Sequence, residues 1–407
     1  MMATASSSAP AFPQDCDPTL PGHPDPYPLL NHLRETDPVH WSEYLKGWCI
    51  TRYADASAYL RDHRFSRVAY LERVGSQFGT DAPALKFQSL ELSFTDPPEH
   101  TWVKGLLGRL FSPQTMAKAR PHIEQSVNAM LDAMAGANQA DLIADFAYPL
   151  PGDVIAAMLG VPHEDWAMLR EWVEGIVLSR GIVRTSEMMA EGDRVAKLFH
   201  DYVSKLIAKR KAARADDLVS TLIFSEEKGR RMSEDQIVTM IETLFAAGHS
   251  TTRSLIANGM LALFRNPAEY ERLRNDLSLI PSAVEEMLRF DPPTQAPSPQ
   301  VATEDVEIGG RTIRKGEIAT VLIGAANRDP REFADPDRFD IARKHNEHLS
   351  FSMGAHYCLG ASLARLEAQV AFEALLKRLP KMRLGSDQLQ WHKSGRFRVL
   401  AALPVEF

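Results

Sequence analysis

The chain has 407 residues, 44% of them hydrophobic and 24% charged, with a formal net charge of −7, enough apolar mass for a large core and the wrong sign for nucleic acid as main partner. Its three cysteines, Cys16, Cys49 and Cys358, are too few and odd in number for a disulfide framework. Met1 to Pro18 has no Lys or Arg and no apolar run, so it is no signal peptide, and no stretch reaches the ~18 apolar residues of a membrane span. The expectation is a cytoplasmic protein with no membrane anchor and no nucleic-acid partner.

Residues 1–26, rich in Ala, Ser, Pro and Asp, predict a loose tail, and residues 27–407 predict one compact domain. Val39 to Thr51 reads as a hairpin turning between Tyr44 and Gly47, followed by a helix from Asp55 to Arg61. From Pro113 to Leu277 the pattern is mainly helical, with breaks at 136–138, 160–162, 180–181 and 228–229. Short strands return late. Val306–Ile308 and Arg311–Ile313 flank Gly309-Gly310 as a hairpin, Ala319 to Ile323 is another strand, and Gly395 to Pro404 predicts a C-terminal one. The fold class is therefore mainly α with small antiparallel β-sheets.

Two helices carry polar signals. Ser233-Glu234-Asp235-Gln236 is a capping box opening a helix that runs to Asn266-Pro267, roughly 32 residues or about 48 Å at 1.5 Å per residue. Three- and four-residue steps place Ile237, Met240, Ile241, Leu244, Gly248, Thr251 and Leu255 on one face. Ser282-Ala283-Val284-Glu285 reads as a second capping box, and Glu286 and Arg289 after it are spaced i, i+3 for an ion pair. On a surface such a pair contributes only about 0–1 kcal/mol.

Near the end, Phe351-Ser352-Met353-Gly354-Ala355-His356-Tyr357-Cys358-Leu359-Gly360 leads into the helical segment Ala361 to Glu367. This places Cys358 at a helix N-terminus, where unpaired N–H groups and the positive dipole end lower a thiol's pKa and suit an anionic metal ligand. A lone cysteine is more often an inert small hydrophobe. A zinc site is the rival metal reading, and no second Cys/His pair with suitable spacing supports it.

The run resembles the haem-binding loop of the cytochrome P450 family, Phe-Gly-x-Gly-x-His/Arg-x-Cys-x-Gly, with Ser352 in place of the first glycine. Ala247-Gly248-His249-Ser250-Thr251-Thr252 is similar to the family's oxygen-activation signature, with Ser250 where a carboxylate is usual. Glu286, Arg289 and Arg338 of Asp335-Pro336-Asp337-Arg338-Phe339 resemble its buried structural charge triad, and Asn327-Arg328-Asp329-Pro330 adds to the likeness. Asp96 to Lys104 resembles the segment whose His-x-x-x-Arg pattern contacts the haem propionates.

The resemblance implies the cytochrome P450 fold, haem b with its iron held by Cys358, and dioxygen as co-substrate. Phe351 and Gly354 shape the loop. His100, Lys104 and His356 match propionate contacts, Lys104 standing for an arginine without its bidentate fork. Gln300 aligns with a fourth, usually an arginine, and brings no charge. Gly248, Ser250 and Thr251 match the catalytic segment, and Leu244, Ala247, Thr294, Gln295, Ala296, Phe397 and residues between Val68 and Phe94 match the substrate pocket.

The implied activity is monooxygenation of a small apolar organic substrate, the thiolate pushing electron density onto iron to favour O–O cleavage. The chain carries no flavin module and no iron–sulfur cysteine cluster, so NAD(P)H would act indirectly, through a separate ferredoxin and ferredoxin reductase. These would dock near Arg109, Arg343, Lys344 and Arg365. Ser250 leaves open a peroxide-using peroxygenase, or a coupling or dehydrogenating enzyme. A haem sensor without turnover is the reading from a different class, and Gly248 and Thr251 argue against it.

Overall fold

The computed structural model describes residues 23–79, 82–179, 185–392 and 396–407. The break expected at Arg180-Gly181 and most of the N-terminal tail lie outside the described residues. Among the described residues, ten short strands are β1 (Val39–Ser42), β2 (Gly47–Ile50), β3 (Phe65–Ser66), β4 (Gln139–Asp141), β5 (Gln300–Ala302), β6 (Val306–Ile308), β7 (Arg311–Ile313), β8 (Ile318–Val321), β9 (Arg383–Leu384) and β10 (Pro404–Glu406). They form sheets ordered β1-β2-β8-β5-β3, β4-β10-β9 and β6-β7, antiparallel except where β8 runs parallel to β2.

Helices make up the rest of the body. The longest, Glu234–Arg265, starts at Ser233, whose Oγ accepts from the Gln236 N–H at 3.2 Å while Gln236 Oε1 accepts from the Ser233 N–H at 3.0 Å. This reciprocal cap contributes about 1 kcal/mol. Asn266 ends the helix and Pro267 opens the next, Pro267–Asn275, because proline lacks the N–H that would continue the ladder. Helices Pro149–Leu159, Ser186–Ala212, Ile280–Phe290 and Ala361–Arg378 pack around the long helix. Leu255, Ile256, Met260, Leu261 and Leu263, each at most 2% exposed, join Phe372 and Met287 in the main core.

The hairpin pairs from Val39 with Ile50 to Ser42 with Gly47, and the late hairpin from Val306 with Ile313 to Ile308 with Arg311. Other expectations need correction. The strand placed at 319–323 is β8 one residue earlier, and Ile323–Ala326 turns into a short helix. Between 395 and 404 the described residues make only isolated bridges, Phe397 with Thr294 and Leu400 with Trp391, and the strand proper begins at Pro404. β4 follows directly on the break read at 136–138 and is not among the expected strands, because three residues carry no periodicity and only pairing with β10 makes them a strand.

The second capping box is also corrected. Its helix starts at Ile280 with Pro281 in the first turn, and Ser282 Oγ donates back to the Leu279 carbonyl at 2.9 Å. Proline, which fits a first turn, outcompetes the serine cap. Glu285 is thereby free for another partner.

Candidate functional site

Cys358 sits three residues before the helix Ala361–Arg378. The loop folds back on itself through the Cys358 N–H donating to the Phe351 carbonyl at 2.8 Å. Gly354 has φ +67°, and a Cβ there would lie 3.0 Å from the Leu60 carbonyl, so only glycine fits. Ser352 holds φ +60° where the family pattern has glycine, a left-handed conformation that costs an L-residue about 1–2 kcal/mol. Buried Phe351 lies under the Arg365 guanidinium at 4.5 Å.

The thiol's surroundings pull in opposite directions. Burial pushes the Cys358 pKa up, while the Gly360 N–H, Arg365 and Lys104 pull it down. Burial wins, so the simple expectation of a lowered pKa at a helix N-terminus is corrected: desolvation outweighs the dipole. The three stabilising groups remain those an anionic sulfur ligand needs, and a metal deprotonates a coordinating thiol outright.

A charge network braces this loop. Glu286 and Arg289, both fully buried, pair through two 2.8 Å bonds. Arg289 Nη1 donates to the Asn327 carbonyl at 2.9 Å, and the Asn327 side chain accepts from the Leu349 N–H and donates to Ser350 Oγ, each at 2.8 Å. The run from Leu349 to Cys358 is thus tied to the ion pair. The third charge is Arg343, whose Nε lies 3.1 Å from Glu286, and not Arg338. Arg338 is exposed and offers only its backbone carbonyl, to Arg289 and Arg343, because its side chain lies on the outer face of the turn.

Glu285 adds a second tie that sequence reasoning missed. It receives two bonds from Arg365, at 2.7 and 2.8 Å, and one from His348 at 3.2 Å, so its carboxyl is held down to about 2. The residues of the expected electron-donor patch carry ion pairs of their own. Arg343 pairs with Glu286, Arg365 with Glu285, and exposed Arg109 with Glu227 at 2.7 Å, and Lys344 is exposed beside them.

On the sheet side, His100 and His356 bring their rings to 4.3 Å. Lys104 Nζ donates to the carbonyls of Ala355 and, at 3.3 Å, Tyr357, pinning the helix Glu99–Gly108 to the cysteine loop. Burial, Lys104 and Arg67 push His100 down to about 4, and burial, Arg67, His100 and Lys104 push His356 down to about 2. Both imidazoles are neutral at physiological pH, each with an N–H to donate. Gln300 does not join them. Its Nε2 donates to the Phe65 carbonyl at 2.8 Å, because β5 pairs with β3 and draws the amide onto that strand. Arg67, which sequence reasoning passed over, is buried beside the histidines.

In the long helix, Ala247 is exposed, and Leu244, Gly248, Ser250 and Thr251 are half-buried. Thr251 Oγ1 donates to the Ala247 carbonyl at 2.7 Å. His249 turns away from this face and bonds the Tyr148 carbonyl at 2.8 Å through Nε2. A Cβ at Gly248 would meet nothing nearer than Ile155 at 3.9 Å, so packing within the chain does not require this glycine. Among the pocket candidates, Thr294 and Phe397 bridge each other across the chain. Gln295 and Ala296 are corrections. Gln295 donates to the Pro292 carbonyl and its side-chain oxygen packs against Gly324, while Ala296 is 1% exposed in a core with Tyr27 and Leu30. The turn from Pro292 to Pro299 directs these two inward.

The arrangement fits haem. A half-buried thiol faces N–H and cationic partners, and His100, His356, Lys104 and Arg67 gather donors where Arg67 Nε is buried with no acceptor. Such a cluster matches an anionic group like the propionates. No helix among the described residues is long and apolar enough to cross a membrane.

Comparison with known proteins agrees. Residues 182–382 match the family described as cytochrome P450. The chain is 38% identical to a biotin biosynthesis cytochrome P450 of Bacillus subtilis (strain 168), covering 94% of this chain and 96% of the relative. It is 37% identical to the cytochrome P450 monooxygenase PikC of Streptomyces venezuelae, over 94% and 91%. The crystal structure of P450BioI in complex with a hexadec-9Z-enoic acid ligated acyl carrier protein superposes with a TM-score of 0.88 at 38% identity, over 94% of this chain and 98% of that one. With full-length likeness in sequence and fold, and a cysteine loop of the matching form, the chain belongs to the cytochrome P450 family of haem-dependent monooxygenases.

Proposed function

We propose that this monooxygenase inserts one oxygen atom of dioxygen into a small apolar organic substrate, drawing electrons from a separate ferredoxin and its NAD(P)H-dependent reductase. The observation that carries the reading is the Cys358 thiol at a helix start, with the Gly360 N–H, Lys104 and Arg365 favouring its anion. Bound haem b supplies the reduction of dioxygen and the oxygen transfer, and the protein supplies binding, orientation and proton control. Cys358 would hold the iron, and His100, His356 and Lys104 would face the propionates. Thr251 donates its hydroxyl proton to Ala247 and keeps its lone pairs for a proton-bearing partner. Ser250 can pass a proton along a chain but cannot store one near neutral pH. Leu244, Ala247, Thr294 and Phe397 would border the substrate.

The relatives favour a second reading of how substrate arrives. One solved relative holds a fatty acyl chain on an acyl carrier protein, and another relative is a polyketide biosynthesis cytochrome P450 of Bacillus subtilis (strain 168), 37% identical over 94% of this chain. A carrier-tethered acyl chain therefore stands beside free terpenes, macrolides, fatty acids and aromatic acids as a substrate class. A spectral-shift titration with each free class and with an acyl carrier protein separates them.

The test of the main reading is spectroscopic. The reduced carbonyl complex should show the red-shifted Soret band of thiolate ligation, and Cys358→His should abolish it. An imidazole-type band from wild-type protein would show that Cys358 is not the axial ligand.

A further inference from the structure

We infer that Arg67 supplies the cationic propionate contact that Gln300 lacks, so that in this chain the arginine is displaced from β5 to the neighbouring strand end at β3. The inference rests on the haem reading above and goes beyond it by assigning a residue to one end of the cofactor. Gln300 is neutral, and its amide is engaged by Phe65. In the β3–β5 pairing Phe65 faces Ala302 and Ser66 faces Val301. One further step of that antiparallel register sets Arg67 beside Gln300. The replacement cation therefore starts from the same corner of the sheet.

Arg67 has the state expected of a residue awaiting an anion. It is 4% exposed and stands in no ion pair among the described residues. Nη1 donates to the Ser93 carbonyl at 3.2 Å, and Nε is buried with no acceptor. The neighbouring carboxylate, Asp96, accepts from Ser66 Oγ at 2.5 Å and from the backbone N–H groups of Arg67 at 3.1 Å and Val68 at 3.3 Å. Asp96 thus fixes the turn that aims Arg67 without bonding its guanidinium. A buried guanidinium left so is costly unless an anion completes it.

The other members of the cluster cannot do this work alone. An imidazole of His100 or His356 offers no two-pronged donor fork, and Lys104 is bound to the Ala355 and Tyr357 carbonyls. A planar guanidinium offers the bidentate fork that matches a carboxylate.

The experiment measures haem transfer from the full-length holoprotein to excess apomyoglobin for wild type, Arg67→Ala, Arg67→Lys, Gln300→Arg and the double variant Arg67→Ala with Gln300→Arg. Propionate bending modes are followed by resonance Raman. Losing one charge-assisted contact should speed haem loss about tenfold to a hundredfold in Arg67→Ala. Arg67→Lys should fall between, and the double variant should return to within a few-fold of wild type as arginine is restored one strand away. An Arg67→Ala protein that keeps haem as well as wild type would overturn the proposal. So would a double variant as leaky as Arg67→Ala, which would show that Arg67 only holds the local fold. The haem-thiolate reading is judged separately, on the wild-type carbonyl spectrum alone.

Discussion

The two halves of the helix Glu234–Arg265 obey different rules. In the C-terminal half every residue from Ser254 to Leu263 is buried, and a Cβ on Gly259 would lie 2.7 Å from Met287 Sδ and 2.9 Å from Phe372 Cζ. In the middle, Ala247 is exposed, and a Cβ on Gly248 would meet nothing nearer than Ile155 at 3.9 Å. One glycine is imposed by helix packing and the other is not. At Gly248, beside the Thr251 hydroxyl, packing within the chain therefore does not account for the glycine. The contrast extends outward: the packed half adjoins the helices that carry the Glu286 and Glu285 ties, which fix the cysteine loop from beneath.

The largest effect should come from the packed side. Glu286→Ala leaves Arg289 and Arg343 buried around a missing carboxylate and should cost about 3–5 kcal/mol in denaturant unfolding. Arg338→Ala should stay within about 0.5 kcal/mol, since only its backbone joins the network. Equal losses in the two variants would restore Arg338 to the triad.

The two glycines give the next test. Gly259→Ala forces Met287 and Phe372 apart and should lose about 1 kcal/mol even after the gain in helix propensity, whereas Gly248→Ala should gain up to about 1 kcal/mol. Gly248→Ala should nonetheless impair dioxygen-driven turnover. Matching thermal shifts in the two variants would end the distinction between the halves.

Glu367 supplies a pH test on the packed side. Its carboxyl is fully buried with Oε2 unpartnered, and desolvation pushes it up from 4.5 to about 8. Below pH 4.5 both folded and unfolded chains hold the proton. Between 4.5 and 8 the unfolded chain releases it and the folded one does not, so stability falls as pH rises through that window. Glu367→Gln should flatten the decline and raise the melting temperature at pH 7 to 8. An unchanged pH profile would show that Glu367 is ionised and paired in solution.

The smallest effect concerns the open middle. Ser250→Asp adds a group able to hold a proton, and should improve coupling of dioxygen turnover by about two- to threefold while leaving the peroxide reaction nearly unchanged. Equal change on both routes would mean that proton supply at Ser250 does not limit the reaction.

Local chemistry made much of this legible from the residues alone. The Ser233 cap, the Gly309-Gly310 hairpin, the cysteine at a helix start and the Glu286–Arg289 spacing each depend on neighbours within a few positions, and each stands in the structure as read. Partners chosen across long sequence distances were not legible. Arg343 rather than Arg338 meets Glu286 because the turn after Asp335 directs one side chain in and the other out. Gln295 and Ala296 face inward because of the path of a proline-rich turn, and β4 exists only because β10 lies beside it. Arg67 gave no motif of its own, although the missing charge at Gln300 was reason to look for a cation elsewhere. Sequence alone determined which chemistry the chain can host, since that follows from residue type and short spacing. Tertiary structure decided which charges meet, because burial makes an ion pair consequential and only the folded chain says what is buried.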